Sequence, residues 1–252
     1  MSTERRVAIV TGAAQGIGRA VALRLADDGI DVAVNDLQSN ADILIQLVAE
    51  LQAKGRKSIP ILADVSDEEG VKAIVTTTVQ QLGKLDIMVA NAGICALGLL
   101  HELDVEQWDR VVAVNLRGTM LCYKYAAAQM IKQGHGGRII GASSYTGKKG
   151  EAYASVYCTT KFAIRGLTQS LAMELLEHKI TVNAYAPGVI DTPMARRTLG
   201  GGGKAEWAIG AQPLEGAAEP DVVGSIVSYL VKPEAYFITG QSLNVNGGIY
   251  MD

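Results

Sequence analysis

The chain predicts a single α/β domain: a doubly wound, seven-stranded parallel sheet flanked by helices. Three observations lead there. Seven short strand-like runs alternate with segments of helical periodicity along 252 residues. The first run closes on a glycine-rich turn that opens a helix. Composition, at 48% apolar against 19% charged, supplies enough interior for one large core.

Taken in order, Arg5–Thr11 (RRVAIVT) reads as the first strand, and Gly16 to Asp28 repeats Ile17, Ala20, Val21 and Leu25 at helical spacing. Between them lies TGAAQGIG, with the pattern Gly12-x-x-x-Gly16-x-Gly18. Glycines there let the backbone turn tightly and approach a pyrophosphate, while free N–H groups and the helix dipole favour an anion. An ordinary strand-to-helix turn is the other reading. The second strand, Asp31–Asn35, delivers Asp36, whose carboxylate can accept from adenosine ribose hydroxyls and repel a 2′-phosphate. Gln15 and Leu37 stand where a cation could have held that phosphate, so the turn predicts NAD(H) over NADP(H).

The third strand, Ser58–Leu62, leads to Asp64-Val65 and the fourth, Leu85–Ala90, to Asn91-Ala92-Gly93. Both pairs of positions sit at carboxyl ends of strands, where an open α/β sheet binds its ligand, although either also reads as a plain loop. A helix-like stretch from Asp104 to about Lys132 contains Asn115-Leu116-Arg117-Gly118. A buried Asn with Gly three residues on is either a packing kink or part of a site. Further strands are expected at Arg138–Ala142, Ile180–Ala186 and Ser242–Val245.

A second long helical run, Tyr153 to Leu176, places Tyr157 and Lys161 on one face, a turn apart. An ammonium beside a phenol stabilises the phenolate. With a reference Tyr pKa of about 10 and roughly 1.4 kcal/mol per unit, a Tyr acting as general acid/base near neutrality needs such a cation. Among nine tyrosines the spacing recurs at Tyr145 and Lys149, but in a Gly-bounded strand exit where no helix aligns them. Ser144 distinguishes the two, because it ends a predicted strand thirteen residues before Tyr157 and its hydroxyl could meet the same substrate oxygen.

The net charge of −3 argues against a nucleic acid or anionic membrane bound by bulk electrostatics. No run reaches the length of a membrane span, and MSTERRVAIVTG passes from a short polar lead into a strand, so a cytoplasmic chain is expected. Cys95, Cys122 and Cys158 are odd in number and lack a Cys-x-x-Cys pairing, which fits reduced thiols in packing roles. His101, His135 and His178 are isolated, so neither a metal site nor a Ser-His-Asp hydrolase is expected.

Taken together, Gly12-x-x-x-Gly16-x-Gly18, Asn91-Ala92-Gly93, Asn115, Ser144, Tyr157-x-x-x-Lys161 and Pro187-Gly188 resemble, in this order, the short-chain dehydrogenase/reductase family over essentially the whole chain. The resemblance implies one Rossmann-type domain over 1–252, a homotetramer or homodimer, and hydride exchange between nicotinamide and a carbonyl or secondary alcohol carbon. It implies a tetrad of Asn115, Ser144, Tyr157 and Lys161. Tyr157 would pass the proton and Ser144 would help hold charge on the oxygen. Lys161 would lower the Tyr157 pKa and hold the nicotinamide ribose, and the Asn115 backbone would anchor a water linking Lys161 to solvent. Cofactor contacts are implied at Gly12, Gln15, Gly16, Ile17, Gly18, Asp36, Leu37, Asp64, Val65, Asn91, Ala92 and Gly93. On the nicotinamide side they are Pro187, Gly188, Val189 or Ile190, and Thr192.

The segment from about 192 to 213, with four consecutive glycines, resembles the family's substrate lid, with Met194, Trp207 and Ile209 as contacts; a linker is the other reading. YCTTKFAIRGLTQSLAMEL and ITVNAYAPGVIDTPM are similar to the diacetyl/acetoin reductase and 2,3-butanediol dehydrogenase branch. Walls from Ile94, Cys95, Ala96, Leu97, Tyr145 and Met194 would suit a small neutral substrate. Tyr145 departs from that branch, and its phenol either donates to a second substrate oxygen or shrinks the pocket. Polyol or sugar oxidation and 3-oxoacyl or steroid ketone reduction are the alternatives within the family. A non-catalytic NAD-sensing protein is the alternative from another class, and the intact Ser144, Tyr157 and Lys161 speak against it. The tail Ile238 to Asp252, with Asn246 where an Asp is frequent, resembles the family's subunit-interface element. The Ala-, Met- and Leu-rich helices Asp104–Lys132 and Tyr153–Leu176 are expected to pair with a second subunit.

Overall fold

Seven parallel strands form one sheet: β1 Val7–Thr11, β2 Asp31–Asp36, β3 Ser58–Leu62, β4 Ile87–Ala90, β5 Gly137–Ala142, β6 Ile180–Pro187 and β7 Ser242–Val245. Their order is β3-β2-β1-β4-β5-β6-β7. The winding therefore reverses between β1 and β4, and a crevice opens beyond their carboxyl ends. The computed structural model describes residues 5–199 and 217–251.

Both faces of the sheet are covered, which is why its central strands read as unbroken apolar runs; every residue of β1 and β6 is buried. Neighbouring residues supply opposite cores because strand side chains alternate. Val10 and Ile140 pack with Val21, Leu25, Leu44 and Val223, whereas Ile9 and Ile139 pack with Ile74, Leu121, Met130 and Val182. The first set belongs to helices α1 Gly16–Asp27, α2 Ala41–Ala53 and, later in the chain, Asp221–Leu230. The second meets α3 Glu68–Leu82 and the long helices after β4 and β5.

The expected helix from Asp104 to Lys132 is divided. It consists of α4 Val105–Val111, a π-helical segment Val112–Arg117 and α5 Gly118–Gln133. Simple 3.6-residue periodicity does not register a single wider turn, and such turns often mark functional sites. The second long helix, α6, spans Ser155–Glu174 rather than starting at Tyr153, which instead adopts a left-handed backbone with φ 64°.

After β6, part of the glycine-rich stretch read as a lid is helical: α7, Pro193–Leu199. Its start is written locally, since Thr192 Oγ1 accepts from the Ala195 N–H at 3.1 Å and Pro193 occupies the first helical position. Asp191 N–H donates to the Ala218 carbonyl at 2.9 Å and Ala218 N–H to the Val189 carbonyl at 3.0 Å, which pins the two ends of the intervening segment together. The last helix, α8, spans Asp221–Leu230. At the tail, Asn246 donates to the Tyr250 carbonyl at 2.9 Å and accepts from the Gly248 N–H at 3.0 Å. An Asp could not make the first of these bonds. Among the described residues no helix is long and apolar enough to cross a membrane.

Candidate active site

A cleft of about 440 Å³ opens over the carboxyl ends of β1, β2 and β4. Gly12 and Gly16 reach it with left-handed backbones, φ 62° and 56°. Gly18 does not line the cleft; it allows the helix to start close to the strand, because a Cβ there would lie 2.2 Å from the Gly12 carbonyl oxygen. Asp36 at the end of β2 is fixed by three donors: Ala14 N–H at 2.9 Å, Leu37 N–H at 2.8 Å and Asn40 Nδ2 at 2.7 Å. Its carboxylate is thus held at the far end of the cleft. Gln15, Ile17, Leu37, Asp64, Val65, Ala92 and Gly93 line the same space, as the sequence predicts. Two cations not anticipated, Arg110 and Arg197, also face it.

Asn91 braces this cleft. Its Nδ2 donates to the Thr11 and Gly12 carbonyls at 2.9 and 3.1 Å, and its Oδ1 accepts from the Tyr185 phenol at 2.8 Å. Thr11, which no motif singled out, takes the Asn91 and Ala92 N–H groups on its hydroxyl at 3.0 and 3.1 Å. One side chain thereby ties β1, β4 and β6 together at the switch point.

The π-helical segment serves both readings of Asn115-Leu116-Arg117-Gly118. Gly118 lets the helix pass Val65, whose Cγ2 would be 2.9 Å from any Cβ at that position. Asn115, fully buried, clasps the chain after Gly93. Its Oδ1 accepts from the Ile94 N–H at 2.8 Å, while Nδ2 donates to the Ile94 carbonyl at 2.9 Å and to Thr160 Oγ1 at 3.3 Å. The backbone carbonyl of Asn115 accepts from the Thr119 hydroxyl at 2.7 Å. The side chain therefore holds the β4 exit against α6.

Ser144 and Tyr157 hydrogen-bond through their hydroxyls. Ser144 is aimed by a 3₁₀ turn over Tyr145–Gly147, where its oxygen also accepts from the Thr146 N–H at 3.2 Å. Lys161 is buried on the next turn of α6. Its Nζ donates to the Ala142 carbonyl at 2.7 Å and stands 5.2 Å from the centroid of the Tyr157 ring. The helix thus does what the four-residue spacing promised. Tyr145 and Lys149 diverge: Tyr145 is buried, whereas Lys149 turns outward toward Glu151.

Electrostatically, the pair departs from expectation. Burial pushes the Tyr157 phenol above its ordinary pKa, with Cys95, Cys158 and Tyr145 adding to the rise and the Ser144 bond opposing it. Burial also lowers Lys161 to about 8, with Cys95 opposing. Burial rather than the neighbouring amine governs the phenol, because both groups leave water together and both neutral forms are favoured. Tyr157 is held as a neutral phenol, the form that donates a proton.

A cavity of about 130 Å³ adjoins the cleft at Tyr157. Cys95, Leu97, Ser144, Tyr145 and Met194 line it as predicted, and Pro187, Gly188, Val189, Ile190 and Thr192 form its β6 side. Two expected wall residues lie elsewhere. Ile94 faces the larger cleft, and Ala96 packs with Val111 and Val156 because the chain turns inward after Asn115 secures Ile94. Trp207, Ile209 and most of the expected 192–213 lid lie outside the described residues. Sequence reasoning missed Glu151 and Thr198, which line the cavity from loop and helix positions that no spacing rule marks. Burial pushes the Cys95 thiol up to about 11 and raises Cys158 as well, so both behave as packing groups.

The chain is similar over its length to known proteins. The family model described as short chain dehydrogenase matches residues 6–200. A short-chain dehydrogenase/reductase of Armillaria gallica is 51% identical, covering 99% of this chain and 98% of its own. The crystal structure of acetoin dehydrogenase from Salmonella typhimurium superposes with a TM-score of 0.86 at 34% identity, over 98% of this chain and 96% of that one. A blue fluorescent protein from a metagenomic library, in complex with NADPH, gives a TM-score of 0.89 at 34% identity, over 100% of both chains.

Proposed function

This chain belongs to the short-chain dehydrogenase/reductase family, and from that premise we propose that it moves a hydride between NAD(H) and a small neutral ketone or secondary alcohol of the acetoin and 2,3-butanediol type. The observation that carries the reading is the convergence of the Ser144 hydroxyl, the Tyr157 phenol and the Lys161 ammonium where a dinucleotide-sized cleft meets a small cavity.

The cleft fits the cofactor on its own terms. Backbone crowding at Gly12 and Gly18 leaves no room for a Cβ, and a fixed carboxylate at Asp36 suits ribose hydroxyls while repelling a 2′-phosphate. Gly12, Gln15, Gly16 and Ile17 would hold the pyrophosphate, Asp64 and Val65 the adenine, and Lys161 the nicotinamide ribose. When bound, the nicotinamide supplies or accepts the hydride.

The chain's own part is to place and protonate the oxygen. Ser144 and Tyr157 donate to the carbonyl oxygen and stabilise the charge that develops there. As the carbon gains its hydride, the Tyr157 O–H bond breaks and the proton passes to that oxygen; alcohol oxidation runs the same transfer backwards. Asn115 keeps the site's geometry through Ile94 and Thr160. Leu97, Met194 and Ile190 give the cavity beside Tyr157 apolar walls. The segment around 192–213 acts as a lid. Exposed Ile131 on α5 and Phe162 and Met173 on α6 support assembly as a cytoplasmic homotetramer or homodimer through those faces.

The test is oxidation of NADH and of NADPH with diacetyl and acetoin, beside Tyr157→Phe. NADH-dependent turnover that disappears in the variant is expected. An inert wild type that still binds NADH would instead favour a sensing protein.

A further inference from the structure

Helix α7 stands between two chambers and presents a different face to each. Met194, Ala195 and Thr198 line the small cavity beside Tyr157, whereas Pro193, Met194 and Arg197 line the dinucleotide-sized cleft. Spacings of three and four residues put each set on one side of a helix. On the cavity side the Thr198 hydroxyl bonds the Cys95 thiol. On the cleft side the helix starts against the glycine-rich turn, since a Cβ on Gly16 would lie 3.1 Å from Thr192 Cγ2 and 3.8 Å from Pro193 Cδ.

The two adjacent arginines of α7 differ. Arg196 is taken up by Asp191 through two hydrogen bonds of 2.6 Å. Arg197 has neither a hydrogen bond nor an ion pair among the described residues, yet it lines the cleft. It lies four residues beyond Pro193, about 6 Å along the helix axis, so its guanidinium reaches the part of the cleft beside Gly16, where the turn offers its backbone to a diphosphate. No residue from Gly12 to Gly18 is charged, and the charge of such an anion has to be met from elsewhere. Lys161 already donates to the Ala142 carbonyl at 2.7 Å. Arg110, the remaining cation of the cleft, comes from α4 and shares its side of the helix with Ala113 and Val114. Arg197 is thus the cation that the lid itself brings to the turn.

We propose, resting on the hydride-transfer reading above, that Arg197 binds the diphosphate of the dinucleotide from the lid side, and that this contact fixes α7 and, through its other face, the wall of the substrate cavity. A guanidinium offers a phosphate two parallel N–H donors, and such charge-assisted pairs are roughly twice as strong as neutral hydrogen bonds. Arg197 is a cofactor-binding residue whose grip is felt in the next chamber, because its neighbour Thr198 faces the substrate. The coupling is reciprocal: whatever seats α7 on the cavity side also tightens the hold on the diphosphate.

The probes are ADP-ribose, which carries the diphosphate without nicotinamide, and adenosine, which carries neither, each titrated calorimetrically into wild type, Arg197→Met and Arg197→Lys. Arg197 is exposed, so these substitutions leave the core alone. Arg197→Met is expected to weaken ADP-ribose at least about tenfold and to leave adenosine unchanged. Arg197→Lys, a point charge without the planar fork, should recover part of the loss. Hydrogen exchange over residues 193–199 reads the effect on the lid: saturating ADP-ribose should slow it in wild type and in Arg110→Met, but not in Arg197→Met. An unchanged ADP-ribose affinity in Arg197→Met, or equal slowing there, overturns the proposal. Loss of the slowing in Arg110→Met as well would assign it to the overall charge of the cleft and overturn the contact too. Neither measurement involves hydride transfer. An Arg197-dependent grip on ADP-ribose upholds the proposal even if no ketone or alcohol reacts, in which case the hydride-transfer reading fails alone. Turnover beside ADP-ribose binding that is indifferent to Arg197 removes the proposal and leaves that reading intact.

Discussion

The Lys161 ammonium stands over the Tyr157 ring, 5.2 Å from its centroid, while donating to the uncharged carbonyl of Ala142 at 2.7 Å. No carboxylate bonds to it among the described residues, and burial lowers its pKa from 10.5 to about 8. Between those two values the unfolded chain binds a proton that the folded chain does not, so stability rises with pH across that window. Below pH 8 the buried charge is present and its cost is felt in full. Lys161→Met lacks this dependence. Wild type should therefore gain on the variant by up to about 3 kcal/mol between pH 8 and 10.5, read from urea unfolding at several pH values. A difference that stays flat across the window would show that Lys161 is not buried as a strained cation. The raised Tyr157 pKa acts in the opposite direction above about 10, but it is common to both proteins.

Tyr157→Phe removes the transferable proton and leaves the ring. Its kcat should fall by about 10²–10⁴ while NADH fluorescence still reports binding. Ser144→Ala should cost about 10²–10³ in kcat. A Tyr157→Phe enzyme keeping a tenth of wild-type activity would move proton transfer to another group.

Asp36 discriminates by charge and by hydrogen bonding, and Asp36→Asn separates the two. The amide keeps an acceptor for Ala14 or Leu37 but no longer repels a 2′-phosphate. We expect the NADPH-to-NADH ratio of kcat/KM to rise about tenfold in this variant. It should rise further when Leu37→Arg is added. A wild type that already prefers NADPH would rule out the carboxylate as the discriminating group.

Asn115→Ala would orphan both the Ile94 N–H and its carbonyl. The expected loss is about 2–4 kcal/mol, seen as a lower urea midpoint with unchanged slope. Asn115→Asp should be no better than Ala, since its second oxygen would face the Ile94 carbonyl. A mild Asp variant would indicate that the amide donor contributes little.

The sheet was legible because its central strands are buried on both faces and come as short apolar runs, and all seven occur close to the expected bounds. Tyr157 and Lys161 were legible because a regular helix converts spacing into geometry, and Ser144 because it lies at the carboxyl end of a strand that could be read from its apolar run. What stayed hidden followed from the same logic. Glu151 sits in an irregular loop between the 3₁₀ turn and α6, where no period relates sequence to space. Thr11 braces the switch point from inside a strand, indistinguishable in sequence from any β-branched residue. The pKa balance at Tyr157 depends on how deeply the pair is enclosed, which spacing does not encode.

The π-helical segment between α4 and α5 also has a consequence for how this part of the chain tolerates change. A turn closed by one extra residue advances everything after it by about 100° relative to a continuous α-helix. The two helices are thus out of phase, and residues that would share a stripe in a straight helix lie on different sides of the same rod. Deleting a single residue from Val112–Arg117 would bring α4 and α5 back into step and swing Asn115 away from Ile94, whereas substitutions on the outer face would leave the offset alone. A scan of deletions beside substitutions would read that asymmetry directly: the helix is fixed here in length more strictly than in composition.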